Sequence, residues 1–287
     1  MPKNHHDARD ISYAYSAQTR SGRAMIRTME NLSGRLGLIR RAEGYQDEVA
    51  AGRDFWQVMV ERYGLSLDVT SGTLRDVPRQ GPLIMIANHP YGILDGLMIG
   101  HILSQTRDDF RILANSVFNK AEDLNRIILP VSFDETREAV QLNLETRRTA
   151  LNYLGEGGAI GIFPGGTVST GAKPFAQPLD PGWRSFTARM IAKSNATVVP
   201  VFFEGQNSRM FQLASHMHVT LRMGLLIKEF GKRVDTAVRV VIGDPIERDE
   251  IDHRVKDAKS LMAFLRRKTY ELSGGPLDPD EIGLEFH

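Results

Sequence analysis

Two short polar runs in this sequence each follow directly on an apolar run, and both carry groups able to do chemistry. The first is Asn88-His89-Pro90-Tyr91-Gly92, with Asp95 shortly after it. An imidazole can accept a proton near neutral pH, and a carboxylate at its other ring nitrogen fixes the tautomer and steadies the imidazolium. Pro90 to Leu94 separate the two groups, and Gly92 permits a turn tight enough to bring Asp95 back under the ring. The same residues also fit a plainer arrangement, in which Asp95 only caps a helix and His89 is an ordinary loop histidine.

The second run, Phe163-Pro164-Gly165-Gly166-Thr167-Val168-Ser169-Thr170-Gly171, offers several backbone N–H groups and three hydroxyls. Such a loop suits an oxyanion or an anionic head group. It is not a nucleotide P-loop. Counting from Gly166 places Gly171 correctly, but the lysine arrives one residue late at Lys173, and Pro174 blocks the helix that should begin there. Gly155, Gly157 and Gly161 precede an apolar strand, whereas a dinucleotide fingerprint follows one.

His216 and His218 alternate and could chelate a metal only on a strand, with no carboxylate close behind, while His5 and His6 sit in a polar terminus. Neither a metal nor a cofactor is expected. Cysteine is absent, which excludes a thiol nucleophile, disulfide staples and thiolate zinc sites, and fits a reducing compartment. No Gly-x-Ser-x-Gly elbow is present, which disfavours a lipase-like hydrolase.

The elements that must position these groups alternate in period. Pro82 to Ala87, Phe110 to Ala114, Ile127 to Phe133, Ala159 to Phe163, Thr197 to Phe203 and Ala237 to Ile242 read as strands. Asp54–Tyr63, Leu94–Leu103, Thr136–Gly155, Pro181–Ser194 and Asp257–Leu272 read as helices, and Met210–Arg233 is apolar and cationic. This order predicts an α/β fold with a mixed, largely parallel sheet flanked by helices. In such sheets ligands gather at the carboxyl ends of strands, so both polar runs stand where a site belongs. If their strands are parallel neighbours, the two loops lie side by side.

Ser21 to Glu43 reads as one amphipathic helix, with Met25, Met29, Leu32, Leu36 and Ile39 in a stripe. Arg23, Arg27, Arg35, Arg40 and Arg41 outnumber Glu30 and Glu43 there. That pattern fits a helix lying on an anionic membrane surface, and on periodicity alone it fits better a core helix with solvated arginines, the commoner use of an amphipathic helix. Elsewhere the charges balance, with 36 Lys and Arg against 35 Asp and Glu in 287 residues, so no nucleic-acid partner is expected. Gly81 to Gln105 has only Asp95 as a formal charge, but Asn88, His89, Pro90 and Gly92 in its middle exclude a membrane span. Met1 to Asp10 is polar and predicts no secretory signal. The predicted organisation is a helical, membrane-associating segment over 1–63, an α/β domain over 64–273 and a loosely held tail over 274–287.

Asn88-His89 with Asp95, then Phe163-Pro164-Gly165-Gly166-Thr167, then Val199-Pro200-Val201, resembles the glycerolipid acyltransferase family in three ordered blocks. The likeness spans Pro82 to Pro245. It is nearest to the bacterial branch that acylates lyso-ornithine lipid and related aminolipids, which Trp183-Arg184 and Phe202-Phe203-Glu204-Gly205-Gln206-Asn207-Ser208 also resemble. The family's usual His-to-Asp spacing is one residue shorter, and the aminolipid branch commonly has the longer one. The family's third block carries Glu and Arg where this chain has Gly165 and Val168, and those side chains are associated with the acceptor's phosphate.

The resemblance implies a glycerol-3-phosphate acyltransferase-like fold and an O-acyltransferase acting in bacterial membrane lipid synthesis. His89 would be the general base and Asp95 its orienting partner. Asn88 would shape the turn, and Phe163, Pro164, Gly165, Gly166, Thr167 and Ser169 would line the substrate site, with backbone N–H groups near Gly165 and Gly166 at the oxyanion. The implied partners are acyl carrier protein or acyl-CoA as donor, a lyso-lipid acceptor and the cytoplasmic face of the plasma membrane, where the protein would be peripheral. Acylation of lysophosphatidate, or a non-catalytic lipid-binding or hemolysin-like role, are the alternatives.

Overall fold

A computed structural model describes residues 11–17, 19–115, 126–132 and 136–285. His5, His6 and the polar start of the chain, together with Phe133, lie outside the described residues.

The chain opens with four helices, α1 (Arg20–Leu32), α2 (Arg35–Ala42), α3 (Tyr45–Ala50) and α4 (Phe55–Arg62). The single helix predicted over Ser21 to Glu43 is therefore two. Gly34 takes φ 100°, a left-handed conformation that ends the first helix and starts the second. Strands β1 (Ser66–Ser71) and β2 (Leu83–Ala87) precede α5 (Ile93–Thr106). Then come β3 (Phe110–Asn115), β4 (Ile128–Val131), α6 (Arg137–Gly155) and β5 (Ala159–Ile162). The two-residue strands β6 (Thr170–Gly171) and β7 (Pro178–Leu179) lead to α7 (Ser185–Lys193) and β8 (Thr197–Phe203). The chain closes with α8 (Arg209–Met217), α9 (Val219–Gly231), β9 (Ala237–Ile242), α10 (Arg248–Asp252) and α11 (Ala258–Glu271).

Seven strands form one sheet in the order β1-β9-β8-β2-β5-β3-β4, with β8 and β9 antiparallel and every other pair parallel. The α/β class holds. β1 was not anticipated because Ser66-Leu67-Asp68-Val69-Thr70-Ser71 is polar; it pairs only with β9 at the sheet edge, where burial does not demand apolar side chains.

β2 is central and buried at every position. Leu83, Met85 and Ala87 face one apolar cluster and Ile84 and Ile86 the other, which explains the unbroken apolar run. Ile86 stands opposite Ile162 of β5, so the loops that leave β2 and β5 emerge side by side as expected. The cluster on the β2 Leu83 face includes Tyr13, Ile26, Leu38 and Trp56, so the N-terminal helices share the core of the sheet. Gly283 and Leu284 of the tail donate backbone hydrogen bonds to Asp180 and Thr170 (2.8 and 3.0 Å).

Candidate active site

The β2–α5 turn brings His89 and Asp95 together. His89 Nδ1 lies 2.9 Å from Asp95 Oδ2, and the same oxygen accepts the Tyr91 and Gly92 N–H groups at 2.7 and 2.9 Å. Asp95 thus partners the imidazole and also caps α5, though from inside its first turn, since Gly92 and not Asp95 holds the N-cap position. Gly92 makes this possible with φ 94° and ψ −118°, where a side chain is strained, and a Cβ there would stand 3.0 Å from the Tyr13 hydroxyl. Burial raises the Asp95 carboxyl above its ordinary value, and the donors from His89, Tyr91 and Gly92 oppose that rise. Its other oxygen, Oδ1, has no hydrogen-bond partner among the described residues.

Nδ1 is buried against Asp95 Oδ2, which leaves Nε2 as the nitrogen able to act as base. The ring stacks on Phe163 at 4.3 Å between centroids, and the side chain keeps 18% of its surface exposed. Phe163, Gly166 and Thr167 beside it are also only half-buried. These four residues form the accessible part of the site.

Other residues expected at the substrate are committed inside the protein. The Asn88 amide donates to Phe203 O at 2.9 Å and accepts Phe203 N–H at 2.7 Å, fastening β2 to β8. Ser169 gives its N–H to His89 O (2.8 Å) and its hydroxyl to Asp180 Oδ1 (2.5 Å). Pro164 and Gly165 are buried, and the Gly166 N–H goes to Phe163 O at 3.0 Å. Of the backbone N–H groups expected near Gly165 and Gly166 at an oxyanion, that of Gly166 thus closes the turn of its own loop. Thr167 keeps a half-buried hydroxyl, which accepts Arg222 Nη2 at 3.0 Å.

Sequence reasoning missed the two residues that hold this second loop. Asp180 is fully buried; Oδ1 accepts His89 N–H (3.1 Å) besides Ser169, and Oδ2 accepts Trp183 Nε1 (2.9 Å). A Cβ on Gly165 would meet the Asp180 side chain at 3.3 Å, so this carboxylate stands between the two loops. The helix predicted from Pro181 begins only at Ser185, because Asp180 to Arg184 are drawn to the site: Arg184 N–H donates to Pro164 O at 3.0 Å. Arg222 of α9 reaches Val168 O (2.6 Å), Thr170 Oγ1 (2.5 Å) and Ser215 Oγ (2.9 Å). Burial pushes its guanidinium down to about 9, which still leaves it cationic at neutral pH. Trp183-Arg184 next to Asp180 was the available signal; Arg222 lies in an apolar helical stretch that gave none.

The arrangement can do base-catalysed acyl transfer, since it has an oriented imidazole at an accessible surface and a backbone-rich loop beside it. The acyltransferase profile matches residues 46–278. The chain belongs to the acyltransferase family. It is similar to the lyso-glycine lipid O-acyltransferases of Phocaeicola vulgatus and Bacteroides thetaiotaomicron, each 22% identical over 77% of this chain. The match covers 78% of the first and 80% of the second. Among solved structures it is similar to the 1-acyl-sn-glycerophosphate acyltransferase of Thermotoga maritima, with 15% identity and a TM-score of 0.42 over 92% of this chain and 87% of that one.

Within this acyltransferase, a cavity of about 240 Å³ lies against the β2–α5 turn. Asn88, Pro90, Ser169, Phe202, Glu204 and Tyr270 are among its lining residues, whereas His89 is not. Phe202 faces this cavity, while its neighbour Phe203 packs near Phe163 on the His89 side, 6.3 Å between centroids. His216 belongs to α8, and His218 caps α9 by accepting Thr220 N–H, so the alternation of a strand is not available to them. No cluster of three metal-ligating side chains occurs among the described residues. Nor, among them, is any helix long and apolar enough to cross a membrane.

Proposed function

We propose that this acyltransferase moves a fatty acyl group from a thioester of acyl carrier protein to the hydroxyl of a lyso-aminolipid, such as lyso-glycine or lyso-ornithine lipid. His89 Nε2 takes the proton of that hydroxyl as its oxygen attacks the thioester carbonyl. The tetrahedral intermediate then expels the thiolate, which recovers the proton from His89. Asp95 orients the ring and balances the imidazolium between these two transfers. Thr167, whose hydroxyl accepts from the Arg222 guanidinium, is the polar group of the loop placed to meet the head group.

The observation that carries this reading is the 2.9 Å contact between His89 and a buried Asp95, with the ring still accessible beside Phe163. The aminolipid class is supported by the names of the two curated relatives and by Gly165 and Val168, which offer no bidentate cation to a phosphate. The exposure of Met25, Leu32 and Leu36 supports the reading of α1 and α2 as a foot on the plasma membrane, which we place at its cytoplasmic face, because these three members of the predicted stripe face outward while Met29 packs on α9. What α1 buries instead is Ile26 and Glu30.

The test is acyl transfer by purified protein from acyl carrier protein and from acyl-CoA, offered lyso-aminolipid and lysophosphatidate in parallel and read by mass spectrometry. Transfer to the aminolipid should dominate, and His89→Ala should lower it by about 10²- to 10⁴-fold. An unchanged yield from His89→Ala would end the catalytic reading, and preference for lysophosphatidate would end the aminolipid one.

A further inference from the structure

Large apolar side chains left in solvent concentrate on four helices. Met25, Leu32 and Leu36 project from α1 and α2, and Met210, Leu213, Met217 and Val219 from α8 and the start of α9. Leu32 is 84% exposed and Met217 67%, values that no folding requirement explains. Both rows border α9. α1 packs along it, with Met29 seated where a Cβ on Gly224 would meet its sulfur at 2.8 Å, and α8 packs against it too.

The charge on these helices is one-sided. They carry Arg20, Arg23, Arg27, Arg35, Arg40, Arg41, Arg209, Arg222 and Lys228, and their two acids, Glu30 and Glu229, are buried. Arg20, Arg23, Arg40 and Arg209 are exposed, as is Arg41, which pairs with Asp235. A chain that is balanced as a whole thus presents apolar side chains among cations here, the complement of a bilayer that contains anionic lipid.

The same helices reach the catalytic turn. Leu226 of α9 stands 3.5 Å from the Cβ position of Gly92, and Arg222 holds Val168. Glu30 of α1 binds Ser12 Oγ and Tyr13 N–H, both at 2.6 Å, and the Tyr13 hydroxyl accepts Ile93 N–H at 3.1 Å, at the start of the helix that carries Asp95.

We propose that the α8–α9 corner is a second membrane contact, which with the α1–α2 row forms one bilayer-facing surface and sets the His89 turn at the lipid interface. The inference rests on the lipid-acceptor reading above for its purpose, but its test does not depend on activity. Vesicles of equal parts phosphatidylglycerol and phosphatidylcholine are sedimented with the full chain. Leu213→Glu combined with Met217→Glu places two anions on exposed positions and should leave the melting temperature unchanged. The bound fraction should fall about fivefold, with a further fall when Leu32→Glu and Leu36→Glu are added. Transfer to a short-chain, water-soluble acceptor should persist while transfer to a vesicle-held acceptor drops.

Vesicle binding equal to that of the unmodified chain would overturn the proposal. So would a dimer in light scattering that the Leu213/Met217 variant dissociates, since the surface would then belong to a second copy. An unmodified chain that binds vesicles yet acylates no lyso-lipid would count against the proposed function alone.

Discussion

The two loops at the carboxyl end of the sheet are built on opposite plans. The β2–α5 turn is local: its carboxylate, its imidazole and both of its N–H donors lie within His89 to Asp95. The β5 loop is held from outside, by Asp180, by Arg222 of α9, by Gln212 of α8 through Gly171 N–H, and by Leu284 of the tail. A proton-transfer pair works at one spacing, and a turn of a few residues with a glycine at φ 94° can fix that spacing by itself. A loop that must fit a substrate has no such internal template, so its shape depends on how helices from other parts of the chain are packed. The His89–Asp95 spacing is set within the turn, although Asp180 and Ser169 also hold the His89 backbone, whereas the second loop is shaped almost wholly from outside.

That contrast can be broken most sharply at Asp95. Asp95→Asn keeps an oxygen for the Tyr91 and Gly92 N–H groups but removes the charge that balances the imidazolium. Turnover should fall on the order of 10²-fold with little change in melting temperature. A large loss of stability would show that the turn is not self-sufficient.

At Asp180 the effects should be mixed. Asp180→Asn sets an amide N–H₂ against one of the donors from His89, Ser169 or Trp183, and leaving such a group unsatisfied costs about 1–3 kcal/mol. Denaturant unfolding should record that loss, and turnover should drop roughly 10-fold through displacement of the His89 backbone. A normal rate with a normal melting temperature would remove Asp180 from the site. Arg222→Met should act mainly on the outer loop. It withdraws the donors to Thr167, Val168 and Thr170, and should raise the KM for acceptor several-fold while turnover changes less. Equal loss in both parameters would mean that the guanidinium also serves the transition state.

The smallest effect is one of pH. Because burial raises the Asp95 carboxyl, the folded chain holds that proton more tightly than the unfolded one. The stability this group contributes is therefore greatest below the ordinary carboxylate value and declines as pH rises through the raised one. Unfolding midpoints of the unmodified chain and of Asp95→Asn, compared from acid to neutral pH, should shift in favour of the variant as pH rises. A shift in the opposite direction would mean that the hydrogen bonds on Oδ2 outweigh the cost of burial.

The sheet was legible because buried strands must be apolar on both faces, and β2, β5 and β8 advertise themselves as short unbroken runs. β1 was not, because an edge strand is under no such demand. His89 and Asp95 could be paired from spacing alone, whereas Asp180 lies 91 residues from the His89 N–H it accepts and Arg222 lies 54 from Val168. No local pattern encodes such distances. Asn88 and Ser169 were read as site residues for their position, and their polar atoms turn out to fasten the loops.

The sequence by itself determined the α/β class, the closeness of His89 and Asp95 and a helical stretch with an apolar stripe beside arginines, since each is written in neighbouring residues. Only the tertiary structure decided which way that stripe faces. Ile26 and Glu30, not Met25 or Leu32, are the side chains α1 buries, and Ser12 and Tyr13 from the preceding segment bind the Glu30 carboxylate. Periodicity defines a face, but the hydrogen bonds made across the fold choose whether that face meets the core or the solvent.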